Sequence, residues 1–443
     1  MKTIVALSTA PLNCAIHTIR VSGDDCYKIV QKITKEKIIK EPYKIQHVSI
    51  IDDKKQMIDD VLLLKFVAPH SYNAENMIEI NCHGGLFVTN KIIELLIKNG
   101  AVYAKHGEFT YRAVINGKIN MLQANAINNI IKSKNFSSLK IAHNGLNKKS
   151  SIKIEKMRDE IFKIIGNIEV NIDYPEYEDY KNLTNNILLK KIKPIKSMLI
   201  NLIKFSQLSA KIMDGFNIAI IGAPNAGKSS LLNKILDEDK AIVSNIPGTT
   251  RDIVEGQINY KNITFNFIDT AGIREKAKYF EKIGINKSID QIKKSDLVLF
   301  IVNKTKKTTK KEKEIFELVK QKPYIIIVNK SDLKTKKTVF NGFNFSCKFD
   351  NINRVLNKII NKINVQSLEK TDLVFMQTPN EIGILEKNLE IIDVLINGAK
   401  KKKPVDLLVE NLYEIYNNFN LLLGENCDLD FLEKLFANFC VGK

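Results

Sequence analysis

The stretch that decides the fold reads Gly222-Ala223-Pro224-Asn225-Ala226-Gly227-Lys228-Ser229. It has the spacing G-x-x-x-x-G-K-S, in which backbone N–H groups of a glycine-containing loop and of a helix N-terminus surround phosphate oxygens. An apolar segment over residues 216–221 predicts a strand before it, and residues 230–236 predict a helix after it. We expect Lys228 to reach the β- and γ-phosphates and the Ser229 hydroxyl to ligate Mg²⁺.

Three further motifs follow predicted strands: Pro247-Gly248-Thr249-Thr250-Arg251-Asp252, Asp269-Thr270-Ala271-Gly272 and Asn329-Lys330-Ser331-Asp332. In nucleotide-hydrolysing P-loop proteins such motifs supply a second hydroxyl to Mg²⁺, here Thr250, and a carboxylate that holds Mg²⁺ through water, here Asp269. The N–H of Gly272 is expected to contact the γ-phosphate. The four motifs together predict a nucleotide-binding domain.

The third of these motifs selects the base. The Asp332 carboxylate can accept two hydrogen bonds from the guanine edge, and adenine cannot donate them. A buried acceptor that stays unpaired is costly, so the site is expected to reject ATP. Ser346-Cys347-Lys348 completes the predicted base pocket. The residues predicted to contact GTP are Asn225, Ala226, Gly227, Lys228, Ser229, Ser230, Ser244, Asn245, Ile246, Pro247, Gly248, Thr249, Thr250, Asp269, Thr270, Ala271, Gly272, Asn329, Lys330, Asp332 and Ser346.

Hydrolysis needs a device other than the one used by Ras-like GTPases. Ile273 occupies the position where those proteins carry a water-orienting glutamine. Asn225, with the carbonyl groups of Ser244 and Ile246, is expected to hold a monovalent cation against the phosphates, where it supplies positive charge. Glu281 follows the second switch motif, and its position allows two interpretations, a water-orienting base or a solvated helix residue.

Composition limits the class of protein without deciding it. A chain of 443 residues predicts about three domains. The formal charge of +19 suits a nucleic-acid partner, but lysine-rich drift over the whole chain explains it equally well. The six cysteines form no C-x-x-C pair, which argues against a zinc site or a disulfide framework. No apolar run approaches the ~20 residues that span a bilayer and no signal peptide is evident, so we expect a cytoplasmic protein without membrane contact.

The pattern of elements changes three times along the chain. Residues 1–118 mix short strands with helices, residues 119–212 have a helical apolar period, residues 213–370 alternate strand and helix, and residues 371–443 return to helix. We expect the α/β domain at 213–370 to be inserted into one helical domain. Strands of the first region are predicted at residues 4–7, 15–21, 45–51, 61–66, 77–82 and 101–104, and a helix at residues 91–98.

The chain resembles the MnmE (TrmE) family of tRNA modification GTPases over essentially its whole length. Besides the nucleotide motifs, the resemblance rests on segments near both ends of the sequence. They are Thr3-Ile4-Val5-Ala6, Ile19-Arg20-Val21-Ser22-Gly23, Ser71-Tyr72, Ile78-Glu79-Ile80, His83-Gly84-Gly85, Gly107-Glu108-Phe109, Arg112-Ala113 and Phe439-Cys440-Val441-Gly442-Lys443.

The resemblance implies an N-terminal α+β domain that binds tetrahydrofolate and dimerises, a helical domain, and an inserted Ras-like G domain that depends on K⁺. The folate, in its 5,10-methylene or 5-formyl form, would contact Arg20, Glu79, Lys118 and Lys443. The K⁺ contacts would be Asn225, Ser244, Ile246 and Thr249, and Glu281 would orient water. Cys440 matches a family cysteine, for which a catalytic thiol and a buried structural role both remain open.

The resemblance also implies partners and a reaction. A homodimer would join a flavoprotein, MnmG, in a heterotetramer, with FAD bound only by that partner. Together they would add an aminomethyl-type group at carbon 5 of the wobble uridine of certain tRNAs, with a one-carbon unit from folate, while GTP hydrolysis drives the G domains together and apart. The alternative from the G domain alone is a GTP-dependent ribosome-assembly factor that binds RNA.

Two segments depart from the family pattern. The family usually has a glycine-rich run where this chain reads Pro11-Leu12-Asn13-Cys14-Ala15-Ile16-His17-Thr18, which changes the expected wall of the folate pocket. A basic stretch often found after the G domain is replaced by Met376-Gln377-Thr378-Pro379-Asn380. That replacement removes one expected site of tRNA contact.

Overall fold

The computed structural model of the chain describes residues 1–39, 41, 44–173, 185–237, 254–268, 289–333, 339–363, 376–425, 436, 439 and 442. The chain forms two compact units. The first contains Met1–Asn128, Leu146–Ser197 and Ile384–Lys443. The second contains Asn129–Gly145 and Met198–Gly383.

Helices of the described residues begin and end as follows: α1 Cys26–Ile33, α2 Leu86–Lys98, α3 Glu108–Ile115, α4 Met121–Lys132, α5 Phe136–Leu146, α6 Lys149–Asp173, α7 Asn185–Asp214, α8 Lys228–Leu236, α9 Lys310–Val319, α10 Asn353–Ile363, α11 Pro379–Lys400 and α12 Val409–Leu423. A 3₁₀ turn at Asp406–Leu408 precedes the last of them. In the first unit α6 packs along α12, and Lys196 of α7 pairs with Asp393 of α11. Helices from both sides of the inserted domain therefore pack together, as expected.

The sheet of the first unit is mixed. Its strands are β1 Ile4–Leu7, β2 Ile16–Ser22, β3 Ile45–Ile51, β4 Met57–Phe66, β5 Met77–His83 and β6 Val102–Tyr103. They lie in the order β3-β4-β5-β2-β1-β6, and β1 and β6 are its parallel pair. Side chains of α1 and α2 form one core with alternate residues of β2 and β5, including Ile19, Val21, Ile78 and Ile80. The period of two leaves Arg20 and Glu79 on the opposite, polar face.

The sheet of the second unit carries the nucleotide motifs. Its strands are β7 Phe216–Gly222, β8 Val254–Tyr260, β9 Ile263–Ile268, β10 Leu297–Asn303, β11 Tyr324–Asn329 and β12 Phe343–Asn344. The order is β12-β11-β10-β7-β9-β8, with β8 the antiparallel edge strand. Ile218 and Ile220 face one core, and Ala219 and Ile221 face the other. Helices therefore cover both faces, which confirms a doubly wound α/β domain.

A turn between α4 and α5 is hydrogen-bonded to the hairpin of β8 and β9. The Nδ2 of Asn135 donates to the Thr264 hydroxyl oxygen over 2.6 Å, and that hydroxyl donates to Oδ1 of Asn259, also over 2.6 Å. The Nδ2 of Asn259 returns a hydrogen bond of 3.2 Å to the carbonyl oxygen of Lys134. Thr264 is fully buried, so these polar groups depend on one another for hydrogen bonding.

Several predicted boundaries differ from the structure. The helix predicted from residue 91 begins at Leu86, directly after Gly85, and the Asn13 side chain accepts from the N–H of Leu86 over 3.1 Å. β4 begins at Met57 rather than at residue 61. The predicted start was too late because the strand includes Asp59 and Asp60, and aspartate is rare in strands. α1 and α3 were not predicted. The end of the helical region predicted at residues 371–443 lies almost wholly outside the described residues, since only 436, 439 and 442 are described after residue 425.

No helix in the described part of the chain combines the length and the apolar character that crossing a membrane requires.

Candidate functional site

The phosphate-binding loop joins the end of β7 to the start of α8. Gly227 precedes the helix with φ of +101°, and Asn225 also has a positive φ of +61°. A Cβ at Gly227 would lie 2.1 Å from Nδ2 of Asn329, so only glycine fits. Lys228 Nζ donates to the carbonyl oxygens of Gly222 and Ala223, each over 2.9 Å, and its burial lowers the pKa of the amine. A half-buried ammonium inside this loop suits a phosphate group.

Asn329 ties the base-recognition motif to the phosphate loop. Its Nδ2 donates to the carbonyl oxygen of Ala226 over 2.9 Å, and its Oδ1 accepts from the N–H of Cys347 over 3.2 Å. Lys330, with φ of +60°, donates from Nζ to the carbonyl oxygen of Asn225 over 3.2 Å. One asparagine thus holds three loops in fixed relation at the carboxyl end of the parallel sheet, where open α/β sheets bind ligands.

The Asp332 carboxylate lies beside Ser346 and is exposed. A hydrogen bond from the Ser346 side chain, supported by the charges of Lys348 and Lys330, lowers the pKa of Asp332. The N–H of Ser346 is held by Asp350 over 2.7 Å. The carboxylate is therefore ionised at neutral pH, and its exposed oxygens can accept hydrogen bonds.

Much of the predicted catalytic machinery lies outside the described residues. This applies to Ser244, Asn245, Ile246, Pro247, Gly248, Thr249, Thr250, Asp269, Thr270, Ala271, Gly272, Glu281, Cys440 and Lys443. The structure brings together Asn225, Ala226, Gly227, Lys228, Asn329 and Lys330 by the contacts above. Ser229 and Ser230 lie in the first turn of α8.

Arg20 and Glu79 form a second polar centre, in the first unit. They are directly opposite each other on β2 and β5, and Arg20 Nε donates to Glu79 Oε1 over 2.7 Å. Their side chains keep 18% and 16% of their exposure. No described residue accepts from Arg20 Nη2 or donates to Glu79 Oε2. The pair therefore offers one donor group and one acceptor atom to a ligand.

The segment around Gly442 reaches the same centre. Its carbonyl oxygen accepts from Arg20 Nη1 over 3.1 Å and from the Ser8 hydroxyl over 3.3 Å. Gly442 has φ of +87°, and a Cβ there would lie 2.4 Å from the carbonyl oxygen of Leu7. His106 also donates to the carbonyl oxygen of Phe439 over 3.2 Å. Gly442 is thus held beside β1 and β2, and Phe439 is held by the segment between β6 and α3.

Lys118 is not joined to this pair by any contact in the described residues. Its Nζ lies 3.5 Å from the carbonyl oxygen of Pro69, in the loop between β4 and β5. The same loop places the Tyr72 ring under the Arg20 guanidinium.

Sequence reasoning missed Ser8, His106 and Asn303. Asn303 Nδ2 lies 3.5 Å from the carbonyl oxygen of Asn225, and its position at the carboxyl end of β10 is a signal that could have found it. Ser8 and His106 carry no such signal, because their partners are more than 300 residues away in the sequence.

Comparison with known proteins gives matches to two families and to whole-length relatives. Residues 3–118 match the family described as GTP-binding protein TrmE N-terminus, and residues 217–330 match the family described as 50S ribosome-binding GTPase. A relative named tRNA modification GTPase MnmE from Mycoplasmoides gallisepticum is 43% identical and covers 100% of this chain and 98% of its own. Proteins of that name from Ureaplasma parvum serovar 3 and Bacillus thuringiensis are 40% and 35% identical, each over 100% of this chain and at least 99% of theirs.

The ribosome-related family covers only the inserted domain, whereas the MnmE relatives cover the chain from end to end. The N-terminal match spans Arg20 and Glu79, which lie outside the segment matched by the ribosome-related family. The chain therefore belongs to the MnmE family of tRNA modification GTPases.

Proposed function

We propose that this GTPase acts with a flavoprotein of the MnmG type to add an aminomethyl or carboxymethylaminomethyl group at carbon 5 of the wobble uridine of certain tRNAs, with a one-carbon unit from tetrahydrofolate. The observation that carries the GTPase part is the hydrogen bond from Asn329 to Ala226, which joins base and phosphate motifs in one site. The full-length similarity to relatives named tRNA modification GTPase supports the tRNA part.

Binding of GTP begins at the loop 222–229. Backbone N–H groups and the Lys228 ammonium would hold the phosphates, and the Asp332 carboxylate would accept from guanine. The residue set fits Mg²⁺, since the hydroxyl of Ser229 lies in the first turn of α8, directly after the loop. Ser229 and Thr250 would hold the ion, which neutralises phosphate charge when bound.

We assign K⁺ to Asn225, Ser244, Ile246 and Thr249, and the orientation of water to Glu281. The left-handed backbone at Asn225 supports this assignment because it is the conformation that asparagine tolerates best among residues with a side-chain oxygen. A bound cation would supply charge that an arginine finger supplies elsewhere.

We assign the folate site to Arg20, Glu79, Lys118 and Lys443, and we propose Cys440 as its thiol. Glu79 Oε2 suits an N–H of the pterin ring edge, and Arg20 Nη2 suits a carboxylate of the folate. Neither Glu79 Oε2 nor Arg20 Nη2 has a partner among the described residues. Together they supply the acceptor and the donor that such a ligand needs. The 5,10-methylene or 5-formyl form would carry the one-carbon unit.

The proposed assembly is a cytoplasmic homodimer joined to MnmG, which binds FAD, in a heterotetramer that takes tRNA. The domains proposed are 1–118 for folate binding and dimerisation, 119–212 and 371–443 for the helical domain, and 213–370 for the G domain. K⁺-dependent hydrolysis would drive the G domains together.

The testing experiment is GTP hydrolysis by the purified chain in matched KCl and NaCl buffers. We expect rapid hydrolysis in KCl and little in NaCl. Asn225→Gly is the matched variant, since glycine keeps the left-handed backbone and removes the side-chain oxygen. It should lose the difference between the two salts. Equal rates of the unmodified chain in both salts would contradict the cation site and leave Glu281 without its proposed role.

A further inference from the structure

Tyr72 lies in the loop between β4 and β5 and is not one of the residues assigned to the folate site. The guanidinium carbon of Arg20 lies over its ring, 5.2 Å from the ring centroid. Separations below about 6 Å allow a cation–π interaction. The ring thus lies against the face of the guanidinium group that is proposed to bind folate.

The ring is itself fixed at its far end. The Tyr72 hydroxyl lies 2.8 Å from Oγ1 of Thr110, a fully buried residue of α3. The body of the ring packs against a small core of Ile4, Ala6, Ala104 and Phe109. Burial raises the pKa of the Tyr72 phenol, so it stays neutral and keeps its hydroxyl hydrogen at ordinary pH. Tyr72 is therefore a rigid support rather than an exposed side chain.

The three contacts of Arg20 complement one another. Hydrogen bonds from Nε to Glu79 and from Nη1 to Gly442 act at the edge of the guanidinium group. The Tyr72 ring acts on its face. Hydrogen bonds at the edge alone allow the guanidinium plane to tilt. The aromatic ring against its face opposes that tilt.

We propose that Tyr72 is a positioning residue of the folate site, which acts through Arg20 and fixes the direction of the free Nη2 donor. The inference rests on the proposed folate function, and it adds a residue that determines how tightly the ligand carboxylate is held. Pre-organised donors lose less freedom on binding, so affinity should fall when the ring is removed.

The first test is calorimetric binding of 5-formyltetrahydrofolate to the full-length protein. We expect Tyr72→Leu to weaken binding about 5- to 30-fold, the range of a partly desolvated cation–π contact. Tyr72→Phe keeps the ring and should bind within about threefold of the unmodified protein. Tyr103→Leu removes a 49%-exposed tyrosine of β6 and is the matched control, with no expected loss.

A double-mutant cycle separates positioning from direct contact. In an Arg20→Met background, Tyr72→Leu should cause no further loss, because the ring acts through the guanidinium. A loss of equal size in both backgrounds would overturn the proposal, and so would unchanged binding by Tyr72→Leu. GTP hydrolysis should be the same in all these variants, since their sites lie in the N-terminal domain.

A second readout does not need folate. The chain has six arginines, so a protein with ¹⁵N-labelled arginine gives at most six Nε–H signals, and Arg20→Met identifies that of Arg20 by its loss. The Tyr72 ring should alter the chemical shift of the Arg20 Nε–H signal. That chemical shift should therefore change in Tyr72→Leu and stay the same in Tyr72→Phe. A signal that does not move in Tyr72→Leu overturns the inference. If that signal moves but the unmodified protein binds no folate, the proposed folate function fails while the placement of Arg20 stands.

Discussion

Asp332, Arg20 and Glu79 each have hydrogen-bonding atoms that the described residues leave without a partner. Asp332 has Ser346 as its neighbour and stays exposed, and the Arg20–Glu79 pair keeps Nη2 and Oε2. Single substitutions at such atoms change what is bound more than they change stability, because the protein itself does not depend on them.

Asp332→Asn should shift the nucleotide preference from GTP to XTP. Guanine carries an amino donor at carbon 2 where xanthine carries a carbonyl oxygen, and an amide can donate to that oxygen where a carboxylate cannot. We expect loss of at least about tenfold in GTP affinity and a gain for XTP, measured by competition binding. Asp350→Asn, whose carboxylate holds the N–H of Ser346, is the matched control and should keep GTP preference. Unchanged selectivity in Asp332→Asn would show that Asp332 does not contact the base.

Cys26 should make the N-terminal domain less stable in alkali. Burial raises the pKa of its thiol from 9.0 to about 12. The unfolded thiol ionises from about pH 9 while the folded one keeps its proton, so stability is complete below pH 9 and falls as pH rises toward 12. The slope per thiol is about 1.4 kcal/mol per pH unit.

Urea unfolding of Cys26→Ala from pH 8 to 11 tests this expectation. The variant should lose stability less steeply than the unmodified protein. Cys14→Ser, at an exposed cysteine, should keep the original slope. Parallel curves for the protein and Cys26→Ala would show that the thiol contributes nothing to the pH dependence.

At the scale of elements, the contact between the α4–α5 turn and the β8–β9 hairpin depends on one hydroxyl. Thr264→Val keeps the shape but leaves Asn135 Nδ2 and Asn259 Oδ1 unpaired. We expect a loss of about 1–3 kcal/mol in the free energy of unfolding, measured in urea. Ser197→Ala removes a hydroxyl that bonds only within its own helix and should cost little. A Thr264→Val protein as stable as the original would mean that water replaces these bonds.

Strands and loops with local signals were predictable from the sequence, and elements held by distant partners were not. The strand before the phosphate loop and the helix after it were predicted correctly. The strand ends at Gly222 and the helix begins at Lys228, in a fixed local pattern of strand, turn and helix. The start of α2 was missed, and Asn13, whose side chain accepts from the first N–H of that helix, lies 73 residues before Leu86. The predicted folate residues Arg20 and Glu79 meet as strand partners, but Tyr72 could not be inferred, since its position over Arg20 depends on a loop anchored by α3.

At the scale of the whole molecule, the formal charge of +19 should govern affinity for tRNA. Each phosphate neutralised by a cation releases counterions, so log affinity should fall linearly with log salt. We expect a loss of about 10³-fold or more between 50 and 200 mM NaCl if six or more phosphates are contacted, measured by anisotropy of labelled tRNA. A fixed KCl concentration keeps the occupancy of the proposed potassium site constant. An affinity independent of NaCl would refute an electrostatic interface.

The hydrogen bond from Arg20 to Gly442 joins residues 422 positions apart in the chain. In polymer terms it closes a very long loop, and the entropic cost of closure grows only with the logarithm of loop length. Removing the roughly 160 residues of the G domain from that loop would change the cost by less than about 0.5 kcal/mol. An insertion of that size is therefore nearly neutral for closure. The long loop instead delays the contact, so the pocket around Arg20 is completed late in folding.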